Sequence, residues 1–385
     1  MVRSAIVIGG GIAGMATAAV LGRMGASVTV LEQSPKLTEV GAGLQISPNG
    51  LCVLKALGLQ LELINRGALQ AQAVSLRDYR RDGEVARLDL KRLASDQTYY
   101  FIHRADLLDA LKGAARRAGA EIRLGQRVTE VRPGDIPEVV LSNGDRLRAE
   151  LIVGADGVHS VARSVLNPQS TAIFTKQVAW RSIVPNVKGQ PFEARVYMGP
   201  GKHIVAYPLR GGEFINLVAV EERDAWQDEG WHQNGDPDQL REVFHEFTGG
   251  AAPLLKAVKD TSVWGLFNHP VAARWYDQGV TLVGDAAHPM LPFMAQGANM
   301  ALEDAWVLGG AVQTGNINGY QSQRAARVAK VVKTTQGNAK RYHLRNGPVR
   351  FVAHTGLKVV STLAPKMMLK PFDWLYRHDV TQTNS

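Results

Sequence analysis

The chain has 385 residues, 45% of them hydrophobic and 21% charged, which excludes a disordered or fibrous protein and suffices for one large core or two to three fused subdomains. Its 44 lysines and arginines leave a net charge of +9, but they are scattered and no zinc, helix-turn-helix or RNP pattern accompanies them, so nucleic acid is not an expected partner. A single cysteine, Cys52, excludes a disulfide framework and a multi-thiolate metal site and points to a reducing cytoplasm.

The first elements read strand, glycine turn, helix, strand. Ala5-Ile6-Val7-Ile8 is a short apolar run bounded by Gly9, as a buried parallel strand requires. A helix is predicted over 12–24, where small and apolar residues recur at helical spacing until Gly25 stops it. The β-branched run Ser27-Val28-Thr29-Val30-Leu31 is the second strand. No stretch reaches the roughly 18 apolar residues of a membrane span, and the glycine-broken start lacks the features of a signal peptide.

Between the strands, Gly9-Gly10-Gly11-Ile12-Ala13-Gly14 satisfies G-x-G-x-x-G. Its glycines permit a tight turn, close approach of a pyrophosphate and close helix–strand packing, and the helix N-terminus offers free N–H groups to phosphate. Glu32 follows at the end of the second strand, where a carboxylate can accept both ribose hydroxyls of an adenosine. The pattern predicts a dinucleotide and does not choose between NAD and FAD.

Later segments extend the same sheet. A helix is predicted over 105–118, ended at Gly119. Two apolar runs within 138–153 are joined by Asn143-Gly144, a strong hairpin signal, and the second, Leu151-Ile152-Val153, leads into Gly154. Val280-Thr281-Leu282-Val283 leads likewise into Gly284-Asp285 and a helix from about 297 to 308. From 171 to 270 the texture changes to alternating strands such as Arg195-Val196-Tyr197-Met198 and the run 214–220, which predicts an inserted antiparallel sheet.

Two further motifs carry a family resemblance. Gly154-Ala155-Asp156-Gly157-Val158-His159-Ser160-Val161-Ala162-Arg163 resembles the DG motif of class A flavoprotein aromatic hydroxylases, and Gly284-Asp285-Ala286-Ala287-His288-Pro289 resembles their GD motif. The continuation from Pro292 through Gln296-Gly297-Ala298-Asn299 to Ala305 is similar too, and the resemblance runs from residue 2 to 323. An Asp-Gly pair alone is most often a turn; three motifs in register are specific. The resemblance implies an α/β fold: a Rossmann-like FAD-binding domain of glutathione-reductase type, an inserted antiparallel substrate sheet and C-terminal helices. The expected boundaries are 1–73, 98–170 and 271–340 for FAD, 74–97 and 171–270 for substrate, and 341–385 for the helical tail.

The residues it implies for FAD are Gly9, Gly11, Ile12, Ala13 and Gly14 at the turn, Glu32 with Gln33 beside it, and Gln45, Arg104 and Val128. Asp285 can accept from a ribityl hydroxyl, and Pro292 keeps its loop from becoming helix. Gly297, Ala298 and Asn299 begin a helix whose N–H groups meet the flavin edge where reduction leaves negative charge. In the family, Asp156 and Arg163 are linked to the pyrophosphate and to NAD(P)H. NADH or NADPH is the implied co-substrate, bound transiently, since no second G-x-G-x-x-G fold follows. For Arg104 and Asp156 the alternatives are a surface ion pair and a plain turn.

On the substrate side, His203 and Tyr207 stand four apart in Gly201-Lys202-His203-Ile204-Val205-Ala206-Tyr207-Pro208, hence on one face of a strand. The segment resembles the pocket strand of the salicylate hydroxylase, 3-hydroxybenzoate 6-hydroxylase and 6-hydroxynicotinate 3-monooxygenase group, in which such a pair assists deprotonation of the substrate hydroxyl. A histidine suits that role because it titrates near neutral pH; the alternative is ordinary strand packing. The segment 41–49 is similar as well, but Gln45 is no cation, which leaves recognition of a substrate carboxylate unassigned. Trp180-Arg181-Ser182-Ile183-Val184-Pro185 has the texture of a flavin halogenase segment with the wrong spacing, so halogenation is not expected.

The implied reaction is hydroxylation of a phenolic aromatic acid through a flavin hydroperoxide, with O2 and NAD(P)H consumed and no metal. Rival readings are a flavin oxidase or dehydrogenase, a quinone-pathway hydroxylase and a flavin-binding sensor. The positive charge either draws in small anions or is a basic surface without selective role. The basic, amphipathic tail 349–377 is read as packing on the core or as a dimer contact rather than a membrane surface, in a monomer or homodimer.

Overall fold

The computed structural model describes residues 2–37, 43–226 and 233–382. Gly41 and Ala42 of the 41–49 segment lie outside the described residues.

The apolar runs meet in one sheet, in the order Tyr276–Asp277, Val280–Leu282, Leu151–Gly154, Ser4–Ile8, Ser27–Glu32, Glu121–Leu124. All pairings are parallel except that of Tyr276–Asp277 with Val280–Leu282. The strands are continuous apolar runs because both faces are covered: helices pack together over the sheet, and Val128, Val131, Val139 and Leu141 of a small antiparallel sheet join the same core. The helix Ile12–Arg23 is buried nearly all round; its alanines and glycines let it lie against the helices Arg104–Arg117 and Gly297–Gln313. A Cβ on Gly309 would fall 2.3 Å from Val20, and one on Gly22 2.6 Å from a carbonyl of the turn after Arg117.

A second sheet of eight strands runs Gln233–Gly235, Thr261–Asn268, Ile173–Pro185, Phe214–Glu222, Lys202–Leu209, Glu193–Gly199, Ala73–Asp78, Glu84–Asp89. It is antiparallel as expected except where Glu193–Gly199 pairs in parallel with Ala73–Asp78. One face packs on the short helices Pro237–Val243 and Ala252–Ala257 through Trp180, Ile204, Ala206 and Leu217. The other face turns toward the first sheet and walls a cavity.

The hairpin expectation needs correction. Glu138–Leu141 does turn at Gly144, whose φ is +89°, but it pairs back with Arg146–Arg148 and with Val128–Arg132, not with Leu151–Val153. Arg146-Leu147-Arg148 carries no apolar signal; its ladder is reinforced by Arg148 and Arg132 pairing with the Glu138 carboxylate. The wholly apolar run at 151–154 belongs instead to the doubly covered sheet. The long helix Asn318–Tyr342 went unread, and Gly347–Leu363 forms the main helix of the tail.

Candidate active site

At the glycine turn, Gly9 has φ of +103°, and a Cβ there would lie 2.4 Å from the Ala155 carbonyl oxygen. A Cβ on Gly14 would fall 1.9 Å from the Gly9 oxygen, so strand, turn and helix meet backbone to backbone. Gly11 differs: it caps the helix without a side-chain bond, and the position of its missing Cβ is open. With Ile12 and Ala13 it lines a cavity of about 860 Å³. Glu32 reaches back to the turn, accepting from the Gly10 N–H at 2.7 Å and the Ser34 N–H at 2.8 Å. Gln33 is exposed beside it, and Val128 is buried in the core away from the cavity.

The DG motif folds onto itself. Asp156 accepts from the Ser160 hydroxyl and from the Val161 N–H at 2.7 Å, and Ser160 caps the helix Val161–Leu166 by accepting from the Arg163 N–H at 2.8 Å. Burial pushes its carboxyl pKa up against those hydrogen bonds. Arg163 is buried and donates to the carbonyls of Ala286, Ala287 and Pro270, tying this motif to the GD loop. Neither side chain lines the cavity, although Ala155 and Gly157 beside Asp156 do.

The GD motif presents Asp285 to the cavity, where burial raises its carboxyl pKa and the nearby His288 and Arg104 partly offset that. Behind it, Asp304 accepts from the Gly284 N–H at 2.9 Å, from His288 at 2.5 Å and from Arg324 at 2.8 Å. Its neighbour Glu303 is held by Arg324, Arg327 and Asn49. This buried network holds the loop, the helix Gly297–Gln313 and the long helix in one arrangement. Pro292, Gly297 and Ala298 line the cavity. Ala295 between them has φ of +52°, a left-handed conformation that a non-glycine residue keeps only where its surroundings impose it. Asn299 accepts from the Ser47 N–H and donates to the Gln45 and Ala295 carbonyls, so it positions the strand Gly43–Ile46 rather than facing the cavity.

These residues fit an FAD. Two helix N-termini without side-chain caps open on one cavity, one at Gly11 and one at Gly297. Arg104 and the Asp285 carboxylate stand between, and the missing Cβ of Gly11 leaves a cradle for phosphate.

At the far end, His203 and Tyr207 project from one face of Lys202–Leu209 with Val205, while Ile204 and Ala206 fill the opposite core. The Tyr207 ring lies 5.1 Å from Phe101, and a Cβ on Gly43 would sit 2.7 Å from its hydroxyl oxygen. Burial pushes the Tyr207 hydroxyl pKa up, with Arg181 opposing. Gln45 accepts from the Tyr99 hydroxyl at 2.8 Å. His203 is 1% exposed, packs on Phe293 and Tyr342, and bonds His343 through Nδ1 at 2.6 Å. Burial, with His343 close by, holds its pKa well below the ordinary value.

Sequence reasoning missed Arg181 and Arg341, which bring cationic side chains to the cavity wall; the Arg181 guanidinium lies 4.9 Å from the Trp264 ring centroid. The signal for Arg181 was present: strand alternation opposes it to the buried Trp180. His343 carried none, standing 140 residues from its partner.

Known proteins agree with this geometry. The family model described as FAD binding domain matches residues 3–335. The chain is 33% identical over 359 residues to 3-amino-4-hydroxybenzoate 2-monooxygenase of Streptomyces cremeus, covering 89% of this chain and 88% of that one. It is 32% identical over 392 residues to 3-hydroxybenzoate 6-hydroxylase of Polaromonas naphthalenivorans, covering 97% and 96%. A solved salicylate hydroxylase substrate complex shares the fold, with a TM-score of 0.82 at 22% identity over 98% of this chain and 96% of that one. With its glycine turn, DG and GD motifs assembled around one cavity, the chain belongs to the FAD-binding-domain family, among the class A flavoprotein aromatic hydroxylases.

Proposed function

We propose that this protein hydroxylates a phenolic aromatic acid of the hydroxybenzoate type at the expense of NAD(P)H and O2. The observation that carries this is the placement of His203 and Tyr207 on one strand face of the cavity that Gly297, Ala298 and Asp285 also line. Bound FAD, once reduced by NAD(P)H, supplies the oxygen-transfer chemistry. The chain binds, orients and deprotonates. The neutral His203 ring accepts the proton of the substrate hydroxyl, which makes the ring a far better nucleophile. Tyr207 aligns that hydroxyl, and Arg181 and Arg341 meet the carboxylate. Leu357, Val360 and Met368 of the tail give the cavity an apolar side. The segments 1–73, 98–170 and 271–340 hold the cofactor, and 74–97 with 171–270 the substrate; Asp156 and Arg163 act by fixing the loops that carry Ala155 and Asp285. We place the enzyme in the cytoplasm, as a monomer or homodimer; no helix among the described residues is long and apolar enough to cross a membrane.

The test is NADH and NADPH oxidation against a panel of hydroxybenzoates and hydroxynicotinates, with product mass spectrometry under labelled O2. A product carrying one labelled oxygen is expected. Turnover with no oxygen gained would establish an oxidase or dehydrogenase instead.

A further inference from the structure

The partner of His203 is itself partnered. His343 Nε2 stands 2.6 Å from His203 Nδ1, and His343 Nδ1 stands 3.0 Å from Glu222 Oε1. The Glu222 carboxylate also accepts from Arg345 Nε at 2.9 Å. Exposure rises along this series: the two imidazoles are 1% and 4% exposed, the Glu222 side chain 31% and that of Arg345 70%. The members come from three places in the chain: the pocket strand, the end of Phe214–Glu222, and the residue after Asn318–Tyr342. Backbone bonds hold them in register, Gly201 N–H to the His343 carbonyl and Glu222 N–H to the Gly201 carbonyl.

Hydrogen-bond chemistry assigns the protons. A carboxylate only accepts, so Nδ1 of His343 carries a hydrogen. Two ring nitrogens 2.6 Å apart share one hydrogen between them, and burial lowers the pKa of both imidazoles, which favours the neutral form with one N–H on each. His343 Nε2 is therefore the acceptor and His203 Nδ1–H the donor. That leaves the lone pair of His203 on Nε2, the nitrogen free to face the cavity. The other titratable and charged groups that meet these rings are Tyr342, whose ring lies 5.3 Å from His203, and Arg345 beside Glu222.

A proton left on His203 would be a cation in a fully buried place, which is costly. We propose that His203, His343 and Glu222 form a proton wire that carries the substrate hydroxyl's proton from the cavity to solvent. The step balances. The substrate O–H breaks as N–H forms at His203 Nε2; His203 Nδ1 passes its proton to His343 Nε2; His343 Nδ1 passes its own to Glu222, which releases it to water. Run backwards, the wire returns a proton to the product oxygen and resets both tautomers. His343 and Glu222 are relay residues that touch no substrate. The proposal rests on the reading of His203 as the acceptor of the substrate proton.

The experiment uses FAD-loaded enzyme and a hydroxybenzoate selected by turnover, followed by its phenol-to-phenolate absorbance change in a stopped-flow pH jump. His343→Gln and Glu222→Gln should slow deprotonation of the bound ligand about 10-fold or more, with FAD content and ligand Kd within about two-fold of wild type. Imidazole added to His343→Ala should restore the rate in proportion to its concentration, a result that a merely structural histidine does not produce. If His343→Gln loses FAD or fold, the half-exposed Glu222→Gln decides alone. Wild-type deprotonation rates in Glu222→Gln, alongside slow deprotonation in His203→Ala, overturn the wire and leave His203 as acceptor. Wild-type rates in His203→Ala overturn the underlying reading instead.

Discussion

An imidazole as buried as that of His203 is harder to charge than one in water. Because its pKa is depressed, the neutral, proton-accepting form persists to lower pH and is lost only as pH falls through that lowered value. The acid limb of kcat/KM should therefore lie below the ordinary histidine value of about 6.5, measured across pH 5 to 9 with a hydroxybenzoate. An acid limb centred at or above that value would mean the imidazole is charged in the free enzyme. His203→Ala should keep FAD and lower coupled product formation about 100-fold or more, with hydrogen peroxide released in its place. Tyr207→Phe, which removes only the hydroxyl aligning the substrate, should lower coupling less. If both variants hydroxylate at wild-type rate across that range, the pair is packing.

At the scale of elements, what was legible in sequence was local. The glycine turn, the apolar strands and the two Asp-Gly motifs each occupy a few consecutive residues, and each encodes its own geometry. Contacts between distant segments were not legible: nothing near Arg163 shows that it ties to the Ala286 carbonyl, and nothing near His203 announces His343. Those contacts fix the site. Gly11→Trp fills the open cradle and Asp285→Ala removes the cavity carboxylate, so both should purify with little FAD, read from absorbance and from flavin released on denaturation. The core is untouched, so circular dichroism should match wild type. In contrast, Arg324→Ala removes the buried guanidinium that the Glu303 and Asp304 carboxylates share and should destabilise the fold by about 3–5 kcal/mol in denaturant unfolding. Asp304 itself is held down to about 2 by His288 and Arg324 despite its burial. Its contribution to stability is thus present above about pH 4 and lost as pH falls toward 2. Asp304→Asn should flatten that part of the stability–pH curve; an unchanged curve would remove Asp304 from the account.

For the whole molecule, the open question is what the charge of +9 does. Two sheets meet over one cavity whose apolar wall, built of residues such as Val205, Val218 and Leu266, is interrupted by Arg181, while the exposed Arg341 reaches the cavity from the helix Asn318–Tyr342. Inside that low-dielectric wall a guanidinium attracts a carboxylate far more strongly than it does in water, and Arg181 over the Trp264 ring is preorganised to do so. A diffuse surface charge, by comparison, is screened over about 8 Å at physiological salt. The two effects separate experimentally. Arg181→Gln should raise KM for a hydroxybenzoate about 10-fold or more while leaving that of its methyl ester nearly unchanged, since only the acid has the charge to lose. Raising salt from about 0.05 to 0.5 M should lower kcat/KM of the acid in wild type and Arg181→Gln alike if the overall field steers substrate, and in neither if the basic surface has no selective role. Turnover stimulated by lipophilic quinones or macrocycles, and by no hydroxybenzoate or hydroxynicotinate, would show that the apolar wall rather than the two arginines selects the substrate, and the phenolic acid class would then be wrong.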